Sequence, residues 1–222
     1  MAALVFYINE NWTTILQLTI LHIGLVVLSC AIAISVALPL GIFVTRPQWR
    51  IYAGSVLALG NTFQTVPTLA VIGLASAALA LFNAGIGWWP AILALVIYSI
   101  LPVLTNTIAG IENVPNATLK AGKGMGFSDS QLLTKIELPL AFPIILAGIR
   151  TAVVVNIGTA ALAAAIGADC LGTLIFQGIS TGSIEILLAG AIPTAILAIV
   201  VDLGFAGIER LKIPAELRRR KF

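Results

Sequence analysis

The stretch Lys120–Pro139, KAGKGMGFSDSQLLTKIELP, is the longest polar run between two very apolar halves of the chain. Its residues predict two short helices separated by a sharp turn. Gly126 suits the left-handed conformation that ends a helix. Ser128, with Gln131 three residues later, forms the capping-box pattern that begins one. Pro139 restricts the residue before it and predicts a boundary before the next apolar run.

A capped helical pair of this length is more than a plain connection requires. We therefore interpret residues 112–139 as a docking element outside the membrane, and we call them the coupling element.

The same stretch resembles the EAA loop of ABC-transporter membrane subunits, whose usual form is Glu-Ala-Ala, three residues, Gly, nine residues and Ile-x-Leu-Pro. The spacing from Gly126 to Ile136 matches that form without a gap. Lys120 stands where the form has Glu, which reverses the sign of the usual charged contact, and Gly122 replaces the second Ala. The resemblance implies contact with an ATPase through Lys120, Ala121, Gly122, Gly126, Ile136, Leu138 and Pro139.

The composition points to an integral membrane protein. Of 222 residues, 59% are hydrophobic and 9% are charged, and the mean hydropathy is +1.08. A soluble domain usually carries about 25% charged residues. The first apolar segment follows Glu10 rather than a basic region and is too long for a cleavable signal peptide.

A membrane span needs about 20 apolar residues, and five segments reach this length. The first two exceed it and are expected to tilt, bend or extend beyond the bilayer, with Pro39 and Pro67 as bend points. The predicted fold is all-α, a single transmembrane domain over residues 1–222. Its five spans are Ile15–Val44, Ala53–Leu81, Trp88–Gly110, Leu140–Ala165 and Ile186–Ile208.

The Lys and Arg residues predict the orientation, because cytoplasmic loops carry an excess of both. Eleven of the twelve follow span one, follow span three or lie in the C-terminal tail. The N-terminal segment and the loops 82–87 and 167–185 contain none. This predicts an outer N-terminus, a cytoplasmic C-terminus and a cytoplasmic coupling element. The basic run Arg218–Lys221 favours a cytoplasmic C-terminus in contact with anionic lipid, rather than a nucleic-acid site.

Four polar residues in the last two spans are candidates for the transport pathway or for intramembrane contacts. Arg150 and Asp202 each lie roughly 9–15 Å from the cytoplasmic end of a span. A charge at that depth costs several kcal/mol unless it is paired or solvated, so we expect a salt bridge between them or a wet cavity. Asn156 and Thr159 lie deeper and are candidates for lining the pathway.

Two further sites in the first two spans have alternative interpretations. Gln64 and Thr65 precede Pro67, and they either satisfy the backbone freed by the proline or line a pathway. His22 is the only histidine, which excludes a His-based metal or catalytic cluster and favours a packing role.

The outer loops also allow two interpretations each. Trp88 and Trp89 suit an interfacial anchor, or less simply an aromatic cage for a quaternary ammonium. The segment Leu171–Ile179 is apolar but too short to span, so it predicts an interfacial or re-entrant helix. Such a helix would form an outer gate or docking surface, or would merely seal the bundle.

The sequence contains no phosphate loop, because Gly122-Lys123 is followed by Gly124 rather than Ser or Thr. It also lacks catalytic triads, paired catalytic carboxylates and zinc-type Cys/His sets. We therefore expect a non-catalytic subunit without a cofactor or metal of its own.

Other stretches resemble the osmoprotectant branch of bacterial importer permeases, for glycine betaine, carnitine and choline. Asp169-Cys170 departs from the usual Gly-Gly of that branch and adds a charge at the outer face. The resemblance implies a type I permease core in the bacterial cytoplasmic membrane, paired with a second copy or paralogue. It also implies two cytoplasmic ATPases, which bind ATP and Mg, and an external substrate-binding protein. The stretches are Gln64–Ala70, Tyr98–Val114, Lys123–Gly126, Glu137–Leu140, Gly148–Ala152, Ile157–Ala160, Ile166–Ala168 and Leu171–Gly172.

Three alternatives stay open at this point. A methionine-type permease shares the five-span core. A secondary transporter or channel subunit would need no ATPase, but usually shows internal repeats or a ring of pore charges, and the sequence shows neither. A scaffold subunit would not explain a capped polar element.

Overall fold

The computed structural model describes residues 2–212, and their regular secondary structure is helical throughout. The all-α prediction is confirmed; the basic run Arg218–Lys221 lies outside this range. The helices are α1 Ala2–Val44, α2 Ala53–Thr65, α3 Thr68–Ala80, α4 Trp88–Glu112, α5 Asn116–Gly124, α6 Asp129–Leu132, α7 Leu138–Ala160, α8 Leu171–Thr181 and α9 Ile184–Lys212. A π-helical turn occupies Leu133–Glu137, and 3₁₀ turns occupy Arg50–Tyr52 and Ala161–Ile166.

In the described part of the chain, four helical stretches are long and apolar enough to cross a membrane. They contain the first, third, fourth and fifth predicted spans. The second predicted span, residues 53–81, is divided into two shorter helices, so four rather than the five predicted spans are present as continuous helices in this part of the chain. The four stretches are Ala3–Val44, Trp88–Glu112, Asp129–Ile166 and Ile184–Arg210.

Pro67 is the reason for the break between α2 and α3. Proline has no backbone N–H, and its ring moves the preceding residue out of the helical region. The helix therefore ends at Thr65, and Pro67 is extended, with ψ 136°, before α3 begins. The predicted bend at Pro67 is present as a complete interruption.

Helix α1 has its irregularity elsewhere than expected. Pro39 lies inside the helix. The non-helical residue is Asn11, with φ −117° and ψ 17°, and its side-chain amide donates to the carbonyl of Tyr7 at 3.0 Å. An asparagine side chain competes with the main chain for such a carbonyl, which accounts for the interruption.

Helix α4 is the centre of the bundle and packs against both α1 and α7. Leu95 and Val103 of α4, like Leu25 of α1, are fully buried. Small residues allow the helices to approach closely. A Cβ added at Gly148 of α7 would lie 2.7 Å from the Pro102 carbonyl oxygen of α4.

The loops collect at two opposite ends of the bundle. At one end, the 45–52 loop lies against the coupling element. At the other, the N–H of Gly87 donates to the carbonyl of Ile166 at 2.9 Å. The predicted short helix in the 167–185 loop is present as α8, which packs against α9.

Trp88 packs against Gly24 of α1, whereas Trp89 is exposed. The two rings therefore do not form the walls of one cage, and this arrangement favours the anchor interpretation.

Candidate functional site

The coupling element has the two helices and the sharp turn that its sequence predicts. Helix α5 follows Pro115, and Gly126 adopts φ +83° in the turn. The Ser128 N–H donates to Gln131 Oε1 at 2.9 Å, and the Gln131 N–H donates to Ser128 Oγ at 3.3 Å. These two bonds complete the capping box, so the turn and the start of α6 are set by local sequence.

Gly122 is the position at which helix α5 packs against the second half of the coupling element. It is buried, and a Cβ added there would lie 2.7 Å from Leu132 Cδ2 and 2.8 Å from Ile136 Cδ1. Helix α5 thus lies directly on these two side chains. This contact explains why glycine occupies a position where the resembled pattern has alanine.

The outward face of the element is formed by α5 and the turn after it. Lys120 and Ala121 are exposed on α5, and Met125 in the turn is 67% exposed. Met125 was not among the predicted contact residues. Its signal in the sequence is a large apolar residue between two glycines, Gly124 and Gly126, inside a polar run.

The predicted boundary before Pro139 is wrong, because the chain stays helical from α6 into α7. Leu138 keeps helical angles of φ −62° and ψ −44°. Its N–H donates to the carbonyl of Leu133, five residues earlier. In an α-helix the proline ring would clash with the carbonyl of Lys135, four residues before it. We attribute the wider π turn to the relief of this clash, with Pro139 in the first turn of α7.

A cavity of about 620 Å³ lies between the coupling element and the 45–52 loop. Its walls carry basic and acidic side chains, several of them paired. The pairs are Arg46–Glu137 at 2.6 Å, Arg50–Glu112 at 3.2 Å and Lys123–Asp129 at 3.9 Å. Lys120 also lines the cavity.

A second cavity, of about 280 Å³, lies where the α2–α3 break meets α4 and α7. Its polar groups are neutral hydroxyls and amides, which donate and accept hydrogen bonds but carry no charge. The lining residues are Gln64, Thr68, Tyr98, Ser99, Pro102, Ala152, Val155, Asn156 and Thr159.

Tyr98 satisfies the backbone at the break, and sequence reasoning missed it. Its hydroxyl donates to the carbonyl of Val66, immediately before Pro67. Of the two residues predicted for this role, Thr65 donates to Thr62 at 2.8 Å, and Gln64 faces the cavity. A tyrosine in an apolar span was the available signal, but its partner is 32 residues away.

Asn156 lines the cavity but also holds two helices together. It is 1% exposed, and its amide donates to Ser29 Oγ at 2.8 Å and to Cys30 Sγ at 3.2 Å on α1. Thr159, one turn later, donates to the carbonyl of Val155 at 3.1 Å. Asn156 therefore fixes the cavity wall, whereas Thr159 offers its oxygen to the cavity.

Arg150 of α7 and Asp202 of α9 form the salt bridge that was one of the two expected arrangements. Arg150 Nε lies 2.6 Å from Asp202 Oδ1, and Nη2 lies 2.8 Å from Oδ2. Nη1 also reaches Glu209 Oε2 at 3.3 Å. One guanidinium thus joins two carboxylates of α9, in the two-pronged geometry that suits arginine best.

His22 has the packing role that its position favours. It is fully buried, and Nε2 donates to the carbonyl of Ile157 at 2.9 Å. Like the Asn156 contacts, this bond ties α1 to α7.

We expect Tyr98→Phe to lower the unfolding temperature by a few degrees, because the Val66 carbonyl would lose its donor. The bond is partly buried, so its loss costs about the 0.5–1.5 kcal/mol of a typical hydrogen bond, and the break beside the cavity would rearrange. Thermal unfolding of the purified protein in detergent measures this. Tyr52→Phe, at an exposed tyrosine, is the matched control. Equal unfolding temperatures for Tyr98→Phe and Tyr52→Phe would show that this hydrogen bond does not stabilise the break.

Comparison with known proteins identifies the family and the fold. Residues 37–212 match the family described as "Binding-protein-dependent transport system inner membrane component". The chain is 40% identical over 198 residues, 89% of this chain and 91% of the relative, to an osmoprotectant import permease protein of Salmonella typhimurium. It is 39% identical over 218 residues, 98% of this chain and 97% of the relative, to a choline transport system permease protein of Bacillus subtilis.

Among solved structures, a chain of the MetNI methionine ABC transporter in an inward-facing conformation superimposes with a TM-score of 0.81. The match covers 92% of this chain and 99% of that one, at 19% identity. At this identity the likeness shows the fold alone.

Proposed function

Because the chain belongs to the family of binding-protein-dependent transport system inner membrane components, we propose that it is the permease subunit of an ATP-driven importer. Its solute is a small compatible solute of the glycine betaine, choline and carnitine type. The observation that carries this proposal is the near full-length similarity to osmoprotectant and choline permeases. The methionine transporter shares the fold at 19% identity and therefore adds no argument for methionine.

We propose five crossings of the bacterial cytoplasmic membrane, with the N-terminus outside. Residues 53–80 are the second crossing, in two pieces. At 1.5 Å per residue they extend about 40 Å, which exceeds a hydrocarbon core of about 30 Å. A broken helix is tolerated at membrane depth where it is buried in protein or lines a wet cavity. The break at Val66-Pro67 lies beside the 280 Å³ cavity, which supports this assignment.

In the proposed mechanism, a pair of cytoplasmic ATPases binds ATP and Mg and closes, carrying the coupling element with it. The helices then move as rigid bodies between two arrangements. One arrangement receives the solute from an external binding protein, and the other releases it inside. The close packing at Gly122 and the capping box hold the coupling element in one conformation. This supports the proposed role, because a flexible loop would not transmit the movement of the ATPases to the helices.

The 280 Å³ cavity is the proposed half of the solute pathway contributed by this chain. Val155 in its wall is 50% exposed, so the cavity opens at the surface of the chain. A second permease, either a copy or a paralogue, would complete the pathway there. The neutral lining suits transit of a zwitterion or a quaternary ammonium, because a fixed carboxylate would retain the cation.

The test is uptake of labelled glycine betaine, choline and carnitine into proteoliposomes that contain the permease with its co-purified partners. We expect uptake of at least one solute to require both ATP at the cytoplasmic face and the binding protein at the other. Uptake at the same rate without ATP would favour a channel or secondary transporter. ATP-dependent uptake of methionine alone would favour the amino-acid alternative.

Replacing Gly126 by valine is expected to uncouple ATP hydrolysis from uptake. At φ +83° a residue with a Cβ is strained by roughly 1–2 kcal/mol, and a β-branched one by more. The turn would open and α5 would lose its fixed position. The measured quantity is ATP hydrolysed per solute imported.

Gly124→Val is the matched control, because an added Cβ at Gly124 meets no atom within 4 Å and the residue has no positive φ. The same stoichiometry in the Gly126→Val, Gly124→Val and wild-type complexes would refute the role of this turn.

A further inference from the structure

The Arg46–Glu137 pair is the most enclosed contact in the 620 Å³ cavity. Their nearest side-chain atoms are 2.6 Å apart, and the Glu137 side chain is only 12% exposed. The neighbouring pair Arg50–Glu112 is much more open, at 68% and 40% exposure, with a distance of 3.2 Å. Exposed pairs contribute little, whereas removing one partner of an enclosed pair leaves a poorly solvated charge.

Arg46 is fixed at the end of α1 by other bonds as well. Its Nε donates to the carbonyl of Ile42 at 3.3 Å, and its Nη2 donates to Thr45 Oγ1 at 3.1 Å. The same Nη2 donates to Glu137 Oε2. The guanidinium therefore caps α1 and holds Glu137 at once, which leaves it little rotational freedom.

Glu137 owes its position to the π turn. It is the last residue of Leu133–Glu137 and lies directly before α7. A π turn places an extra residue in one turn, so it rotates the side chains before it relative to those after it. The position is also the variable one in the Ile-x-Leu-Pro pattern, so the pattern alone assigns it no role.

Along the sequence, the coupling element is continuous with α4 before it and with α7 after it, but α1 is connected to it only through other helices. Helix α1 packs against both α4 and α7, and its residues Ser29 and Cys30 hold Asn156 in the wall of the 280 Å³ cavity. Leu38 and Ile42 of α1 and Leu138 of the coupling element pack against one apolar cluster, and the Arg46–Glu137 pair adds a charged contact from the end of α1 to the coupling element itself.

Building on the proposed ATPase coupling, we propose that Arg46 and Glu137 form a latch that makes α1 move together with the coupling element. Both are positioning residues: they contact neither ATP nor the solute. Neutralising either one lets the element move without α1, so ATP is hydrolysed without transport.

The test compares Arg46→Gln, Glu137→Gln, the reversed pair R46E/E137R and the control Arg50→Gln in the reconstituted complex. Each neutral variant is expected to raise the ATP hydrolysed per solute severalfold. The reversed pair is expected to return most of the way to wild type, and Arg50→Gln to remain at wild type. Rescue by reversal separates a latch from a general loss of packing.

A second variant covers the case in which the reversed pair does not assemble. In R46C/E137C, a short thiol-reactive cross-linker replaces the ion pair by a covalent link. We expect the same preparation to be uncoupled before cross-linking and coupled after it. Unchanged stoichiometry in both neutral variants, or no recovery on cross-linking, would overturn the latch. Wild-type uptake that needs no ATP would overturn the proposed function and the latch together.

Discussion

Arg150→Met is expected to remove most of the folded permease from the membrane and nearly all solute uptake. Asp202 and Glu209 would keep their charges but lose the guanidinium that lies 2.6 and 3.3 Å from them. An unpaired carboxylate within a span is unfavourable, and the same guanidinium holds α7 to α9. The amount of monodisperse protein extracted from membranes, together with uptake, measures the effect.

The charge-swapped variant R150D/D202R tests whether Arg150 and Asp202 act as a pair or independently of each other. It keeps an acid–base pair between α7 and α9, while Glu209, which contacts position 150, then faces the new aspartate. We expect it to recover much of the folded protein and part of the uptake. Wild-type behaviour of Arg150→Met would contradict the account, and so would a double variant no better than Arg150→Met and Asp202→Arg.

Gly172→Ala is expected to prevent α8 from packing. An added Cβ would lie 1.8 Å from the carbonyl oxygen of Ala161 and 2.6 Å from its carbon. These are backbone atoms, which cannot move aside as a side-chain tip can, so α8 must shift from the bundle. Overpacking typically costs about 1–3 kcal/mol, and a clash this close falls at or above the upper end. We expect a fall of many degrees in the unfolding temperature in detergent.

Gly158→Ala is the control for this effect, because an added Cβ at Gly158 meets no atom within 4 Å. It should unfold at or near the wild-type temperature. Equal unfolding temperatures for Gly172→Ala and Gly158→Ala would mean that α8 does not lie on Ala161 as described.

Features set by neighbouring residues could be predicted from the sequence. The capping box joins Ser128 and Gln131, and the left-handed turn needs only Gly126. The interruption at Pro67 follows from the chemistry of one residue. The pairing of Arg150 with Asp202 was also among the expectations, because a charge in an apolar span needs a partner and the spans offer few.

Features that join distant residues could not be predicted in the same way. Tyr98 reaches Val66 across 32 positions, and Arg46 reaches Glu137 across 91. Such contacts depend on how the helices pack, which periodicity does not specify. Pro139 failed as a boundary marker for a local reason. A proline can be accommodated in the first helical turn, and here a π turn precedes it.

The central claim, that the coupling element contacts an ATPase, is tested most directly by cross-linking from its exposed tip. A photoreactive residue at Met125, which is 67% exposed, is compared with one at Ser180, an exposed position of α8 at the opposite end. In native membranes we expect position 125 to capture a protein with a phosphate loop and position 180 to capture none. Capture of no such protein from position 125, or equal capture from both positions, would contradict the account.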